Sequence, residues 1–262
     1  MPSVLITGAG RGIGRAAALR MAGAGWDVYA GVRRADDAPG GERITPVVLD
    51  VTDSQQVAAL GQALPARLDG VVNNAGVVVS GPVEALDLED LRRQFEVNVT
   101  GQVAVTQAVL PRLRESRGRV LFVSSVSGRV ASPLTGAYNA SKFAIEGIAD
   151  VLRMELKPWG VAVVLIEPGS IDTDLWRNAL DTAAEAEAAM QPGHRELYAA
   201  HLAGMRKAIP RIQKQAGPVD RVTAAIERAL TADRPKARYL VGADAKAQVA
   251  MRAALPTRAS TR

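Results

Sequence analysis

The sequence predicts an α/β protein built on one doubly wound parallel sheet of about seven strands, and three observations lead there. Short apolar or β-branched runs recur along the chain, each is near-continuous in hydrophobicity rather than alternating, and helical-length stretches separate them. Parallel strands covered on both faces have no polar side, which is why they read as unbroken apolar runs. The helical stretches supply the right-handed crossovers that parallel neighbours require. No Pro/Gly/Ser-rich linker and no fixed-period repeat divides the chain, so residues 1–262 are expected to form a single domain.

The runs come in order as SVLITG (3–8), DVYAGV (27–32), ITPVVLDV (44–51), LDGVVNNAG (68–76), GRVLFVSS (118–125), VAVVLIEPG (161–169) and ARYLVG (237–242). The βα rhythm breaks at 170–215, a long Ala-rich segment before the helical DRVTAAIERAL (220–230). There Leu197, Tyr198, His201, Leu202, Met205 and Ile209 recur at helical spacing along one face. That pattern fits a core-facing helix or a lid over a site, and a connection of this length favours the lid. Residues 250–262, with AALPTRAST, are expected to form a flexible tail.

Composition narrows the function classes. A chain that is 48% hydrophobic and 23% charged buries a core and is not disordered. The absence of cysteine excludes disulfides and thiolate metal sites and suits a reducing cytoplasm. MPSVLITGAG enters a strand without the charged and long apolar regions of a signal peptide, and no run approaches the roughly 18 apolar residues of a membrane span. A soluble, cytoplasmic protein is expected. The net charge of +5 admits nucleic acid, but with 4% aromatic residues and no recognisable module none is expected as a partner. The two histidines, His194 and His201, lack a carboxylate cluster, and no G-x-S-x-G elbow follows a strand, so neither a metal site nor a serine hydrolase is expected.

Two motifs carry chemistry. TGAGRGIG, Thr7 to Gly14, joins the first strand to a helix. Its glycines let the backbone approach a pyrophosphate, whose charge the helix amides and dipole favour. At the head of a βα series this is a dinucleotide-binding turn, and the sheet is therefore Rossmann-type. YNASK, from position 138, sets Tyr138 four residues before Lys142, on one face if the segment is helical. Alone, such a pair is either an acid catalyst or an ordinary helix surface.

The glycine spacing Gly8, Gly12, Gly14 resembles the TGxxxGxG turn of the short-chain dehydrogenase/reductase family. The resemblance spans roughly 3–175 and takes in other motifs in order: Asp50 and Val51 at a strand end, NNAG at Asn73 to Gly76, Asn98 in EVNVTG, Ser125 in VSSVSG, Tyr138 and Lys142, and Pro168 and Gly169. It implies Asn98, Ser125, Tyr138 and Lys142 as the catalytic set. It implies cofactor contacts from Gly8, Gly10, Arg11, Gly12, Ile13, Gly14, Asp50, Val51, Asn74, Ala75, Gly76, Tyr138, Lys142, Pro168, Gly169, Ile171 and Thr173. Asp50 and Val51 would flank the adenine. Asn74 to Gly76 would pass the ribose, and Ile171 and Thr173 would reach the nicotinamide carboxamide.

Val32 stands where NAD-selecting relatives usually place Asp, and Arg33 follows it. Guanidinium is a bidentate phosphate partner, so Arg33, with Arg11 in the turn, points to NADP(H) rather than NAD(H). The competing reading makes Arg33 and Arg34 solvated loop residues.

In the implied reaction Tyr138 gives a proton to the developing alkoxide. A free phenol has a pKa of about 10. Lys142 and a positive nicotinamide ring are expected to lower it by about 1–3 units. Ser125, chosen over Ser124 and Ser127 by the family's spacing to the tyrosine, would polarise the carbonyl. Lys142 would also bond the nicotinamide ribose, and Asn98 would hold a water. Leu175, Trp176, Leu180, Met190, Leu197, Tyr198 and Met205 offer an apolar pocket for a small lipophilic carbonyl or alcohol. YNASKFAIEGIADVLRMELKPWGVAVVLIEPGSIDTDL is most similar to the hydroxysteroid and retinol dehydrogenase branch. The helices near 98–114 and 138–157 form two-fold interfaces in many relatives, implying a homodimer or homotetramer. A 3-oxoacyl reductase and a catalytically silent NADP-binding regulator are the alternatives.

Overall fold

The structure is a computed structural model that describes residues 1–255, and within them every side chain except that of Leu175. Seven strands form one sheet: β1 (Ser3–Thr7), β2 (Asp27–Val32), β3 (Ile44–Val48), β4 (Gly70–Asn73), β5 (Arg119–Val123), β6 (Ala162–Pro168) and β7 (Arg238–Val241). Their order is β3-β2-β1-β4-β5-β6-β7, and every pairing is parallel. Each predicted run contains a strand, so the Rossmann-type α/β class holds. The fourth run shortens most, because its residues from Asn74 onward turn away to bond the end of β1. Pro46 lies in β3, at the sheet edge, where a missing N–H leaves no ladder bond broken.

Helices α1 (Gly12–Gly23), α2 (Ser54–Ala63), α3 (Leu88–Phe95), α4 (Gly101–Ser116) and α5 (Gly136–Glu155) alternate with the strands. Then follow α6 (Asp174–Arg177), α7 (Ala179–Ala189), α8 (Pro192–Leu197), α9 (Ala199–Gln215), α10 (Asp220–Thr231) and α11 (Ala243–Ala254). Alternate strand residues feed two cores. Val4, Ile6, Leu121 and Ile166 join α1 and α10 on one face, while Leu5, Phe122 and Leu165 join α2, α4 and α5 on the other. Each such side chain, wholly removed from water, contributes about 1.5–3 kcal/mol. These layers hold the strands' carboxyl ends in place. Sheet order reverses direction between β1 and β4, and the crevice at that switch point is where open α/β sheets bind ligands.

The segment 170–215 folds as α6 to α9. Leu202 and Ile209 are buried as the helical spacing predicts, and Leu202 packs with Met190 and Leu134, flanked by Ala85, Tyr198 and Met205. Two residues of the predicted face depart from it. Leu197 is 71% exposed because it ends α8, before the turn that starts α9, and His201 also faces water. Leu180 is exposed too, so it adds nothing to a buried pocket wall, and the Leu175 side chain lies outside the described set. The expected tail is helical through Ala254, because α11 continues past residue 250; residues 256–262 lie outside the described residues.

Candidate active site

The glycine turn is shaped by what its residues must approach. Gly8 and Gly12 have φ of 65° and 53°, the left-handed region in which a Cβ is strained. A Cβ on Gly14 would stand 2.2 Å from the Gly8 carbonyl oxygen, so only glycine lets α1 start this close to β1. Arg11 precedes α1 in extended conformation, without a side-chain cap, and no acid occupies the first turn. The first amides and the positive end of the helix therefore remain available to an anion. Ile13, half-buried, packs against the core beneath.

Thr7 fastens this turn to β4. Its buried Oγ1 accepts from Asn74 N at 3.0 Å and Ala75 N at 2.9 Å, while Asn74 Nδ2 donates to Thr7 O at 2.9 Å. Asn73, with Nδ2 on Thr106 Oγ1, belongs to the core instead. A Cβ on Gly76 would come within 3.4 Å of Asn98 Oδ1.

At the end of β2, Arg33 is exposed, as is Arg11, and among the described residues neither has a carboxylate at ion-pair distance. Asp50 lies after β3; the Thr52 backbone N–H, then the Thr52 hydroxyl and the Arg33 charge, hold its carboxyl below the usual range against the opposing effect of burial. Val51 is buried, with its carbonyl and side chain against Gly101. Gly10 sits under the loop at Asp37 and beside Val32.

Across the crevice, α5 presents Tyr138 and Lys142 on one face, with Lys142 Nζ 5.7 Å from the Tyr138 ring centroid. Lys142 is buried, and Nζ donates to Val123 O at 2.7 Å. Burial pulls its pKa down to about 8, with Glu146 opposing. Tyr138 departs from the expected direction: desolvation raises its pKa, and the neighbouring Ser125 hydroxyl only partly counters this. A low-dielectric wall penalises the phenolate more than the side chains around it stabilise it. Ser125 Oγ accepts from Ser127 N at 3.1 Å and donates toward Pro168 O at 3.5 Å, at the crevice. Ser124 is buried, with its Oγ against Gly128 and without a hydrogen-bond partner among the described residues.

Asn98 lies in a π-helical turn, Glu96–Thr100, between α3 and α4. It is fully buried; Oδ1 accepts from Val77 N at 2.8 Å and Nδ2 donates to Val77 O at 3.0 Å, with Ser141 Oγ at 3.3 Å. Such one-turn bulges cluster at functional sites. After β6, Gly169 N donates to Val241 O, and the Ser170–Asp172 strip bonds Gly217 on both sides. Ile171 is 3% exposed and its side chain belongs to the core, so only its backbone can serve a ligand. Thr173 lies 3.8 Å from where a Gly12 Cβ would stand, which brings this loop against the glycine turn.

Several polar residues that shape the site were not singled out in the sequence. Thr7 ties β1 to β4. Gln94 bonds Val79 N at 2.7 Å and Val77 O at 2.8 Å, duplicating the grip of Asn98 one turn earlier. Asn139, beside Tyr138, donates to Ser127 O and Val130 O and so holds the loop after β5. Only Thr7, as the first residue of the glycine motif, carried a local signal. The others are ordinary polar residues whose burial appears only in the fold.

Comparison with known proteins agrees with this geometry. The family model described as short chain dehydrogenase matches residues 2–184. An NADPH-dependent 3-dehydrocapnine reductase of Ornithobacterium rhinotracheale is 36% identical over 92% of this chain and 88% of its own. Retinol dehydrogenase 5 of Mus musculus is 34% identical over 93% of this chain and 81% of its own. Among solved structures, a short chain dehydrogenase from Burkholderia cenocepacia in complex with NADP superposes with a TM-score of 0.78 at 28% identity, covering 99% of this chain and 95% of that one. The chain belongs to the short chain dehydrogenase family and, like its reductase and dehydrogenase relatives, is an oxidoreductase.

Proposed function

We propose that this protein is a single-domain NADP(H)-dependent oxidoreductase that interconverts a lipophilic secondary alcohol and its ketone, or a primary alcohol and its aldehyde. The observation that carries the reading is the convergence of the Ser125 hydroxyl, the Tyr138 phenol and the Lys142 ammonium at one end of β5, beside a glycine turn that a Cβ would block. NADP fits the residues present. Arg11 and Arg33, without a carboxylate at ion-pair distance among the described residues, supply cations for a 2′-phosphate, and the open amides of α1 suit a pyrophosphate. A relative named for NADPH dependence and a structural neighbour holding NADP support the same choice.

When bound, NADPH supplies the hydride. Gly8, Gly10, Gly12, Ile13 and Gly14 would form the pyrophosphate turn, Asp50 and Val51 would flank the adenine, and Asn74, Ala75 and Gly76 would pass the ribose. Lys142 would bond the nicotinamide ribose, and Pro168, Gly169, Ile171 and Thr173 would hold the carboxamide side, Ile171 through its backbone. Ser125 donates to the substrate carbonyl, and Tyr138 gives its proton to the same oxygen as the alkoxide forms: one phenol O–H bond breaks and one alcohol O–H bond forms. A raised phenol pKa keeps that proton in place at neutral pH. Asn98 holds a water leading to Lys142. Residues 170–215 act as the lid, held where Leu202 and Met190 pack on Leu134, and the apolar residues of this segment favour a lipophilic substrate over a sugar. We read the working form as a cytoplasmic homodimer or homotetramer; exposed Phe143, Val151 and Met154 on α5 support a partner there.

The test is NADPH consumption against a panel of ketones and aldehydes, with Tyr138→Phe beside the wild type. Loss of proton donation should slow turnover by about 10²–10⁴-fold while NADPH still binds. An undiminished rate in the Phe variant overturns the assignment of the acid. Binding without turnover of any carbonyl favours the silent NADP-binding regulator.

A further inference from the structure

The loop after β6 is pinned from the far end of the chain. Gly169 N donates to Val241 O at 2.8 Å, Asp172 N donates to Gly217 O at 2.9 Å, and Ser170 O accepts from Gly217 N at 2.9 Å. The Ser170 amide is held by a side chain instead: it donates to Asp244 Oδ2 at 2.8 Å. Asp244 is the second residue of α11 and lies 74 residues further along the chain.

The space around this carboxylate is bounded on two sides. Pro168 and Val241 are register partners at the ends of β6 and β7, so Gly169 and Gly242 follow their strands side by side. A Cβ on Gly169 would stand 2.4 Å from Asp244 Oδ2 and 2.5 Å from Oδ1, and a Cβ on Gly242 would stand 2.4 Å from Oδ1. Real Cβ contacts are never that short, so both glycines make room for one carboxylate. Among the described residues no cation stands at ion-pair distance from Asp244, which leaves its charge directed at the amide. An ionised acceptor makes such a bond about twice as strong as a neutral one. An acid in the first turn also suits the dipole of α11, but that benefit needs neither glycine and no bond to Ser170.

The pinned loop matters for what it leaves free. Of the amides in 169–172, that of Ile171 is without a partner among the described residues, and Thr173 just beyond stands against the glycine turn at Gly12. We propose that Asp244 is a positioning residue of the cofactor site: by holding the Ser170 amide between Gly169 and Gly242, it fixes the loop that meets the nicotinamide end and makes the C-terminal helix part of that site. The inference rests on the NADP(H) reading above and concerns one half of that cofactor.

The test titrates the intact protein with two ligands, NADPH and 2′,5′-ADP, which carries the adenine and the 2′-phosphate but no nicotinamide. Wild type, Asp244→Ala, Asp244→Asn and Lys246→Ala are compared by calorimetry, with melting temperatures recorded beside them. Losing the charge-assisted bond should weaken NADPH about tenfold in Asp244→Ala and leave 2′,5′-ADP within about twofold. Asp244→Asn keeps an oxygen for the amide and the size that fits between the glycines, so it should recover most of the loss. Lys246→Ala, exposed on the same helix, should change neither ligand. A role confined to folding would lower the melting temperature and weaken both ligands alike. That result, or an unchanged NADPH affinity in Asp244→Ala, overturns the proposal. If Asp244→Ala does not fold, Asp244→Ser, too short to reach the amide but suited to a helix start, decides by the same ratio. A wild type that binds neither ligand overturns the NADP(H) reading and this inference with it, whereas binding of both with an unselective loss in the variant overturns this inference alone.

Discussion

Arg33 shows how much one side chain can settle. It stands exposed at the end of β2 with no carboxylate among the described residues at ion-pair distance, and it is close enough to Asp50 to help keep that acid ionised. A charge-assisted bond to a 2′-phosphate is worth about 1.5–3 kcal/mol. Arg33→Ala should therefore weaken NADPH binding by about 10- to 150-fold and leave NADH within about twofold, with both read by fluorescence titration. Equal losses would remove the phosphate role. Residues with a backbone or spacing requirement were legible in the sequence: Gly14 because nothing larger fits, and Tyr138 and Lys142 because helical spacing aligns them. The direction of the Tyr138 shift was not, since it depends on how much water burial removes and not on which residue is four positions away.

Elements place these residues by local geometry. A π-turn between α3 and α4 rotates Asn98 inward, where it and Gln94 clamp Val77 and Val79 from one side. The sequence marks only a helix near 98–114, because no propensity shows where an extra residue enters a turn. The proposed lid, 170–215, is anchored where Leu202 and Met190 pack on Leu134 and where Tyr198 OH donates to Glu84 at 2.8 Å. Leu202→Ala should cost about 2–3 kcal/mol of lid docking, because the cavity it leaves is lined by the lid itself. As that docking is local, proteolysis within α7 to α9 should quicken and KM should rise while the main melting transition moves little. A drop in that transition as large as a core deletion would show that the lid folds as one unit with the sheet. Helical periodicity found Leu202 and Ile209 but misplaced Leu197 and His201, since the chain turns between α8 and α9.

Across the whole molecule, burial of Glu167, which Arg129 and Arg238 hold, and of Lys142 sets a pH signature of stability. Glu167 has a folded pKa near 7, above its free value of 4.5, so the folded state binds the extra proton between those values and stability is lost as pH rises through that window. Lys142 has a folded pKa near 8, below its free value of 10.5, and contributes the opposite slope above pH 8. Together they give a dip between about pH 7 and 8. Glu167→Gln should flatten the acid side of that dip by an amount on the order of 1–3 kcal/mol, read by chemical denaturation at pH 5 and pH 8. An unchanged pH 5 to pH 8 difference would show that Glu167 is ionised throughout. The sheet provides this arrangement: β6 and β7 bring Glu167 and Arg238 to the flank of α5 from far along the chain.

Continuous apolar runs, the glycine turn and the Tyr138 to Lys142 spacing determined by themselves the sheet, the tight turn after β1 and the shared face of Tyr138 and Lys142, because each is a constraint between residues near in sequence. The sheet order, the inward turn of Asn98, the packing of Ile171 into the core and the bridging of Glu146 and Glu167 by Arg238 were decided only by tertiary structure. These depend on which distant groups share a low-dielectric space, and burial, which sets the energy of every charge there, is a property of the assembled fold.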